Sequence, residues 1–244
     1  TAVQSEGYRT IRANLKYVNV DDPIRAFVVT SPTPGDGKTT VACNLAIALA
    51  QTGQKVCLVE SDLRRPRVME YLQLAAGPGL TEVLAGQLKL EDALQSWGRG
   101  MLSVLPPGAL PPNPSEILGS HQMAQVVASL KSSFDMVILD TPPLLAVSDA
   151  AVLASQTDGA VVVVRYGKSS RDSVRNAVGA LEQINAKVLG TVLNAVPVKR
   201  GGGYGYGYGY GYGYGSDSKG KSKNTVQAPD ESAVAPTSSG SSGA

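Results

Sequence analysis

A short apolar segment, Ala26 to Thr30, runs into the loop Ser31 to Gly37, and the loop runs into a helical pattern from Lys38 to about Gln51 that Gly53 ends. Strand, glycine loop and helix in this order leave few folds open, because the turn must bring backbone N–H groups and a helix N-terminus to one point. In Gly35-Asp36-Gly37-Lys38-Thr39-Thr40 the glycines let the backbone turn its N–H groups toward phosphate oxygens. Lys38 is placed to reach the β and γ phosphates of a nucleotide, and Thr39 offers a hydroxyl to Mg²⁺. The pattern G-x-x-x-x-G-K-[ST] expects glycine where Pro32 stands, so the entry to the loop departs from the common form.

Further fully apolar strands are expected at Val56 to Glu60, Leu102 to Leu105, Met136 to Leu139, Ala160 to Val164 and Val188 to Leu193. Helical patterns separate them, including one from about Ser170 to Ile184 and two short ones between Gly79 and Trp97. Pro66 is expected to open a helix, and Asn113, Pro114 and Glu116 have the spacing of a capping box. Apolar strands alternating with helices predict an α/β fold with a doubly wound, mostly parallel sheet of the P-loop NTPase kind, covered on both faces. Right-handed crossovers then gather the strand carboxyl ends on one edge. Asp140 ends one strand there, where a carboxylate can hold a Mg²⁺ water facing the loop, and Glu60 and Asp62 end another. One of these acids can orient a hydroxyl during phosphoryl transfer; the alternative is that they satisfy a helix N-terminus or pair with Arg64 and Arg65.

The segment from Ala2 to Val18 reads as a helix with Glu6, Arg9 and Arg12 at three-residue steps, either a partner surface or a solvated face with weak ion pairs. The core-forming part is expected over 1–198, with a flexible, disordered tail over 199–244. In that tail six tyrosines alternate with glycines, Tyr204, Tyr206, Tyr208, Tyr210, Tyr212 and Tyr214, and rings between residues without side chains are expected to be exposed acceptors. The formal net charge of +2 is spread rather than collected in a stripe, so nucleic acid is not an expected partner. Cys43 and Cys57 form no CxxC pair, which predicts buried reduced thiols and a reducing, cytoplasmic setting. No apolar run reaches the roughly 18 residues a bilayer span requires. The chain opens on Thr1 rather than Met, which fits an excised piece of a longer protein. His121 and Trp97 sit on expected helical segments and carry no assigned role.

Taken together, these motifs resemble those of the bacterial tyrosine kinases, P-loop enzymes that control capsule and exopolysaccharide synthesis. The resemblance covers roughly residues 1 to 215. It rests on Ser5-Glu6-Gly7-Tyr8-Arg9-Thr10-Ile11-Arg12, Thr30 through Thr39, Glu60-Ser61-Asp62-Leu63-Arg64-Arg65-Pro66, Pro111 through Glu116, Asp140-Thr141-Pro142-Pro143 and Ser148-Asp149-Ala150. It implies an ATP- and Mg²⁺-dependent autokinase with Lys38 and Thr39 in Walker A, Glu60 and Asp62 in a second acidic motif and Asp140 in Walker B. The implied metal-side residues are Thr39, Asp62 and Asp140, and the implied catalytic set is Lys38, Glu60, Asp62 and Asp140. The family usually has Asp where Glu60 stands. Asn194 is the candidate for the adenine edge, with a buried-turn asparagine as its alternative.

The resemblance also implies partners. Glu6, Arg9 and Arg12 would make subunit contacts in a homo-oligomeric ring, an octamer among the possible sizes. A neighbouring subunit would modify the terminal tyrosines, and modification would loosen the ring. A membrane-spanning activator, fused or separate, would hold the kinase at the inner face of the plasma membrane. A tyrosine phosphatase and the polysaccharide synthesis and export proteins complete the expected set. The rival is a ParA or MinD type positioning ATPase, a nucleotide switch of the same fold. Those proteins carry a signature lysine early in the loop, where this chain has Thr33 followed by Pro34.

Overall fold

The computed structural model describes residues 2–197 apart from 16, 19–21 and 99, with the side chains of 2–5 also left aside. The chain divides into two units, Thr1–Val198 and Lys199–Ala244, and every described residue belongs to the first. The expected acceptors Tyr204 to Tyr214 therefore lie outside the described residues.

Helix α1 (Ala2–Leu15) precedes β1 (Ala26–Thr30), α2 (Lys38–Ala50) and β2 (Val56–Glu60). Short helices follow, α3 (Val68–Leu72), α4 (Leu80–Leu84) and α5 (Leu90–Ala93), then β3 (Gln95–Trp97) and β4 (Leu102–Leu105). The second half is α6 (Pro114–Leu118), α7 (His121–Ser133), β5 (Met136–Asp140), α8 (Asp149–Ser155), β6 (Ala160–Arg165), α9 (Arg171–Glu182) and β7 (Val188–Asn194). The seven strands are ordered β3-β4-β2-β5-β1-β6-β7, all pairs parallel except β3 with β4.

Every residue of β1, β2 and β5 is buried, as a strand covered on both faces requires. The pleat sends Phe27, Val29, Leu58 and Ile138 to the side packed by α1, α2 and α3. It sends Val28, Val59, Val137 and Leu139 to the other side, against α4, α7, α8 and α9. Phe27 is fully buried, and a side chain of that kind contributes about 1.5–3 kcal/mol by leaving water. The pairing of β2 with β5 sets Glu60 beside Asp140, and that of β1 with β5 sets Val29 beside Asp140. Three strand ends are thus brought together at the start of α2.

Local chemistry explains several boundaries and corrects others. Ser120 and Ser170 cap α7 and α9 by accepting Met123 N–H at 3.2 Å and Ser173 N–H at 3.1 Å. The box expected at Asn113 does not form, since its side chain donates to the Glu116 carboxylate instead of binding the helix backbone. An equivalent arrangement occurs at α4, where Glu82 accepts the Gly79 N–H at 2.6 Å. Helix α1 ends at Leu15 rather than Val18, and α3 begins at Val68 rather than Pro66 because the Glu60 carboxylate draws the Arg67 and Val68 N–H groups inward. Trp97, expected on a helix, lies in the antiparallel strand β3, with its indole N–H donated to the Leu72 carbonyl at 3.1 Å. Cys43 and Cys57 are buried and free. No helix among the described residues is long and apolar enough to cross a membrane.

Candidate active site

The loop between β1 and α2 is shaped by two glycines in the left-handed region, Gly35 at φ 81° and Gly37 at φ 96°. Gly37 is also the N-cap of α2 and supplies no side-chain cap, so the first helical N–H groups stay available to an anion. A Cβ on Gly37 would run into the Asn194 amide and force it from its place on the loop.

The loop is braced from several directions. Asp36 is fully buried; its Oδ2 accepts the Thr33 N–H and hydroxyl, both at 3.0 Å, and its Oδ1 accepts the Ser169 hydroxyl at 3.1 Å. Arg165 donates to the Gly35 carbonyl at 2.8 Å and Lys168 to the Pro34 carbonyl at 2.7 Å. Asn194 donates its amide to the Asp36 carbonyl at 3.0 Å. The candidate for the adenine edge thus rests against the loop backbone. Arg165, Lys168 and Ser169 had no signal in the sequence, since they end β6 or follow it, about 130 positions from the loop, and only the pairing of β1 with β6 brings them to it.

Within the loop's reach, Lys38 Nζ lies 2.9 Å from Asp62 Oδ2 and 3.9 Å from Asp140 Oδ1. The Thr39 hydroxyl donates to Asp140 Oδ2 at 2.6 Å. Burial lowers the Lys38 pKa, but Asp140 and Asp62 outweigh it and hold the ammonium above its ordinary range. Burial pushes the Asp140 carboxyl up to about 6 despite Lys38 and Thr39. Asp140 Oδ1 is buried and has no hydrogen bond, which suits an oxygen reserved for a cation or its water. Among the described residues no group of three His, Cys, Asp or Glu side chains could hold a metal by itself. Mg²⁺ needs no such group, because it keeps waters and borrows phosphate oxygens. The donor set Thr39 and Asp140, with Asp62 close by, fits that ion.

Glu60 departs from its expected catalytic place. It is fully buried and accepts N–H groups from Asp62 at 3.2 Å, and from Arg67 and Val68 at 2.7 Å each. It does not line the cleft, whereas Asp62 does. Burial first and Asp140 second raise its pKa, against the pull of those three donors. The extra methylene relative to aspartate is used to reach the start of α3, so Glu60 organises the turn that carries Asp62. Asp62 itself accepts the Arg64 and Arg65 N–H groups at 3.3 and 2.9 Å on Oδ1 and presents Oδ2 to Lys38.

The cleft has a volume of about 530 Å³ and is lined by the loop, by Asp62, Arg64, Arg65 and Arg67, and by an apolar wall of Pro142, Pro143, Ala146 and Val147. Arg64 is fixed by Asp149, Nε to Oδ2 at 2.9 Å and Nη2 to Oδ1 at 3.2 Å, with Ser115 on the same carboxylate. Burial raises the Asp149 pKa, but Arg64 and Ser115 bring it below the ordinary range. The motifs around Ser115 and Asp149, undirected in the sequence, thus meet at Arg64. Away from the cleft, Glu6 and Arg9 pair at 3.1 Å on an exposed face, while Arg12 turns inward and donates to the Ala48 carbonyl near the end of α2 at 3.1 Å.

A family model described as an AAA domain matches residues 25–193. The chain is 41% identical over 203 residues to tyrosine-protein kinase YwqD of Bacillus subtilis (strain 168), covering 83% of this chain and 86% of that protein. The solved kinase domain of Escherichia coli tyrosine kinase ETK superposes with a TM-score of 0.77 at 36% identity, over 84% of this chain and 80% of that one. Against full-length tyrosine-protein kinase etk of Escherichia coli (strain K12), the chain spans 27% of the length. The septum site-determining protein MinD of Pyrococcus horikoshii OT3, complexed with Mg-ADP, superposes less closely, with a TM-score of 0.60 at 29% identity over 69% of each chain.

Proposed function

Starting from the fact that this chain belongs to the bacterial tyrosine-protein kinase family, we propose that it transfers the γ-phosphoryl group of ATP to its own tyrosines, Tyr204 to Tyr214, with a neighbouring copy as acceptor. One observation carries the reading: Asp62 lines the cleft with Oδ2 on Lys38 Nζ at 2.9 Å, beside an Asp140 oxygen that has no hydrogen bond.

ATP is the nucleotide this arrangement suits, by analogy with the Mg-ADP of the MinD structure. Gly35, Asp36, Gly37, Thr39 and Thr40 contribute the loop and first turn that cradle the phosphates. Lys38 leaves Asp62 for the β and γ oxygens and spreads their charge as the transfer proceeds. Thr39, Asp140 and Asp62 would hold Mg²⁺, the last through the ion's waters, and the ion would neutralise charge on the phosphate oxygens. Asp62 Oδ2, released by Lys38, accepts the phenol proton as the phenol oxygen bonds to the γ phosphorus and the bond to the β-phosphate oxygen breaks. ADP leaves with the electron pair. The wall of Pro142, Pro143, Ala146 and Val147 gives the incoming ring an apolar surface.

The same reading extends to assembly and setting. Glu6 and Arg9, exposed on α1, serve as the ring contact, with Arg12 anchoring that helix to α2. A membrane-spanning activator places the kinase at the inner face of the plasma membrane, and a tyrosine phosphatase reverses its product. The output is control of capsule or exopolysaccharide synthesis and export. The domain limits 1–198 and 199–244 separate catalyst from acceptor. Each phosphate adds about −1.5 to −2 charge, so six would add on the order of −9 to −12, enough for modified copies to repel one another.

The test is incubation with labelled ATP and Mg²⁺, followed by mapping of modified residues. Label is expected on the tyrosines between 204 and 214. Hydrolysis product with no label on them would favour a nucleotide switch of the MinD kind. A Lys38→Met chain is expected to label poorly alone and to accept label from an intact chain. Failure of that mixing would place transfer within one chain.

A further inference from the structure

The cations of the cleft are not equivalent. Lys38 is shared between Asp62 and Asp140, Arg64 is held by Asp149, and Arg67 pairs with Glu70 at 2.6 Å. Arg65 lines the same cleft and is exposed, yet among the described residues its guanidinium has neither an ion-pair nor a hydrogen-bond partner. Its backbone is anchored, because the Arg65 N–H donates to Asp62 Oδ1 at 2.9 Å. An arginine reaches about 6–7 Å from its Cα with ordinary bond lengths. From that anchor the guanidinium can reach a zone around the Asp62 carboxylate. It comes from the connection after β2 rather than from the loop that receives the nucleotide phosphates.

A planar fork of donors with no internal carboxylate is suited to a phosphate dianion, which it can bind through two charge-assisted hydrogen bonds. The chain's own sequence offers such a group at a regular interval, because its terminal tyrosines recur every second residue. In an extended peptide, residues two apart project to the same side and lie about 6.6–6.8 Å apart. With one tyrosine hydroxyl at Asp62, the phosphate on its neighbour falls within the reach of Arg65. Resting on the kinase reading above, we infer that Arg65 is a docking point for a phosphotyrosine already formed in the tail, so that one modified tyrosine primes the next. Transfer then accelerates after the first event and concentrates on chains already started.

The test uses the full chain, Mg²⁺ and peptides of alternating glycine and tyrosine, either unmodified or carrying one phosphotyrosine two residues from an acceptor. Binding is read by fluorescence anisotropy in the presence of ADP, and transfer by kcat/KM with ATP. The phosphopeptide is expected to bind and react about tenfold better, the effect of one charge-assisted contact. In Arg65→Ala the ratio of primed to unprimed peptide is expected to fall close to one, with partial recovery in Arg65→Lys. Wild-type binding that ignores the phosphate, or a ratio that survives in Arg65→Ala, overturns the docking site. So does an Arg65→Ala chain whose only change is a raised KM for ATP, which would assign the guanidinium to the nucleotide. Absence of transfer to every peptide and to the chain's own tyrosines sinks the kinase reading separately.

Discussion

Lys38 and Asp62 hold each other at 2.9 Å across the cleft, so the proposed phosphate-binding cation and the proposed acceptor of the phenol proton neutralise one another. Both side chains are nearly buried, and a pair in such a place constrains geometry more than it adds stability. Asp62→Asn is expected to cut tyrosine labelling by about 10²–10⁴-fold, the range for losing a positioned general base. Nucleotide binding, followed by a fluorescent ADP analogue, should persist, because Lys38 then has one less competitor. Loss of both together would place Asp62 in nucleotide binding instead.

Glu60 should separate cleanly from Asp62. Glu60→Ala leaves three N–H groups without this acceptor, those of Asp62 and Val68 buried, and is expected to cost about 1–3 kcal/mol for each buried group that stays unsatisfied, read by urea unfolding. Glu60→Gln keeps an acceptor oxygen and should retain labelling within about tenfold in its folded fraction, well above the Asp62→Asn level. Equal losses in the two conservative variants would return Glu60 to the catalytic set.

At Gly37 two effects can be told apart. Gly37→Ala meets both a left-handed backbone and the Asn194 amide, and should lose nucleotide affinity along with stability. Adding Asn194→Ala removes the clash but leaves the backbone strain of about 1–2 kcal/mol. The double variant is therefore expected to recover part of its melting temperature. Full recovery would show that crowding alone demanded glycine.

Far from the cleft, Asp158 ties three segments by accepting Arg25 N–H at 2.7 Å, Ala26 N–H at 2.8 Å and Lys131 Nζ at 2.6 Å. Burial opposes ionisation there, but Lys131 and the two N–H groups win and depress the pKa. A depressed carboxyl pKa contributes stability that is present above its unfolded value and lost as pH falls through the folded one. Asp158→Asn should thus be less stable than the parent near neutrality, and the gap should narrow below about pH 4. A gap constant from pH 7 to pH 3 would rule out the charge as its source.

Much of the fold could be read from local pattern. Apolar runs of strand length, glycines at a turn and a lysine opening a helix each depend on a few neighbouring residues, so β1, α2, β2 and β5 were legible, as was the gathering of Lys38, Thr39, Asp62 and Asp140 at one sheet edge. β3 was not, since three residues of mixed burial carry no usable period. The Asn113 box was read wrongly because an exposed glutamate can take the amide as readily as the helix backbone can.

What the sequence by itself determined is the set of groups placed at one sheet edge, because alternating strands and helices with right-handed crossovers leave their carboxyl ends nowhere else. Tertiary structure alone decided which of those groups face the cleft. Glu60 and Asp62 are two residues apart and chemically alike, yet one is drawn toward the start of α3 by the Arg67 and Val68 N–H groups and the other is left beside Lys38. The loop is braced by Arg165, Lys168, Ser169 and Asn194, side chains from strand ends remote in sequence. Such partnerships depend on strand order and on competition among buried donors, and no local window of sequence contains either.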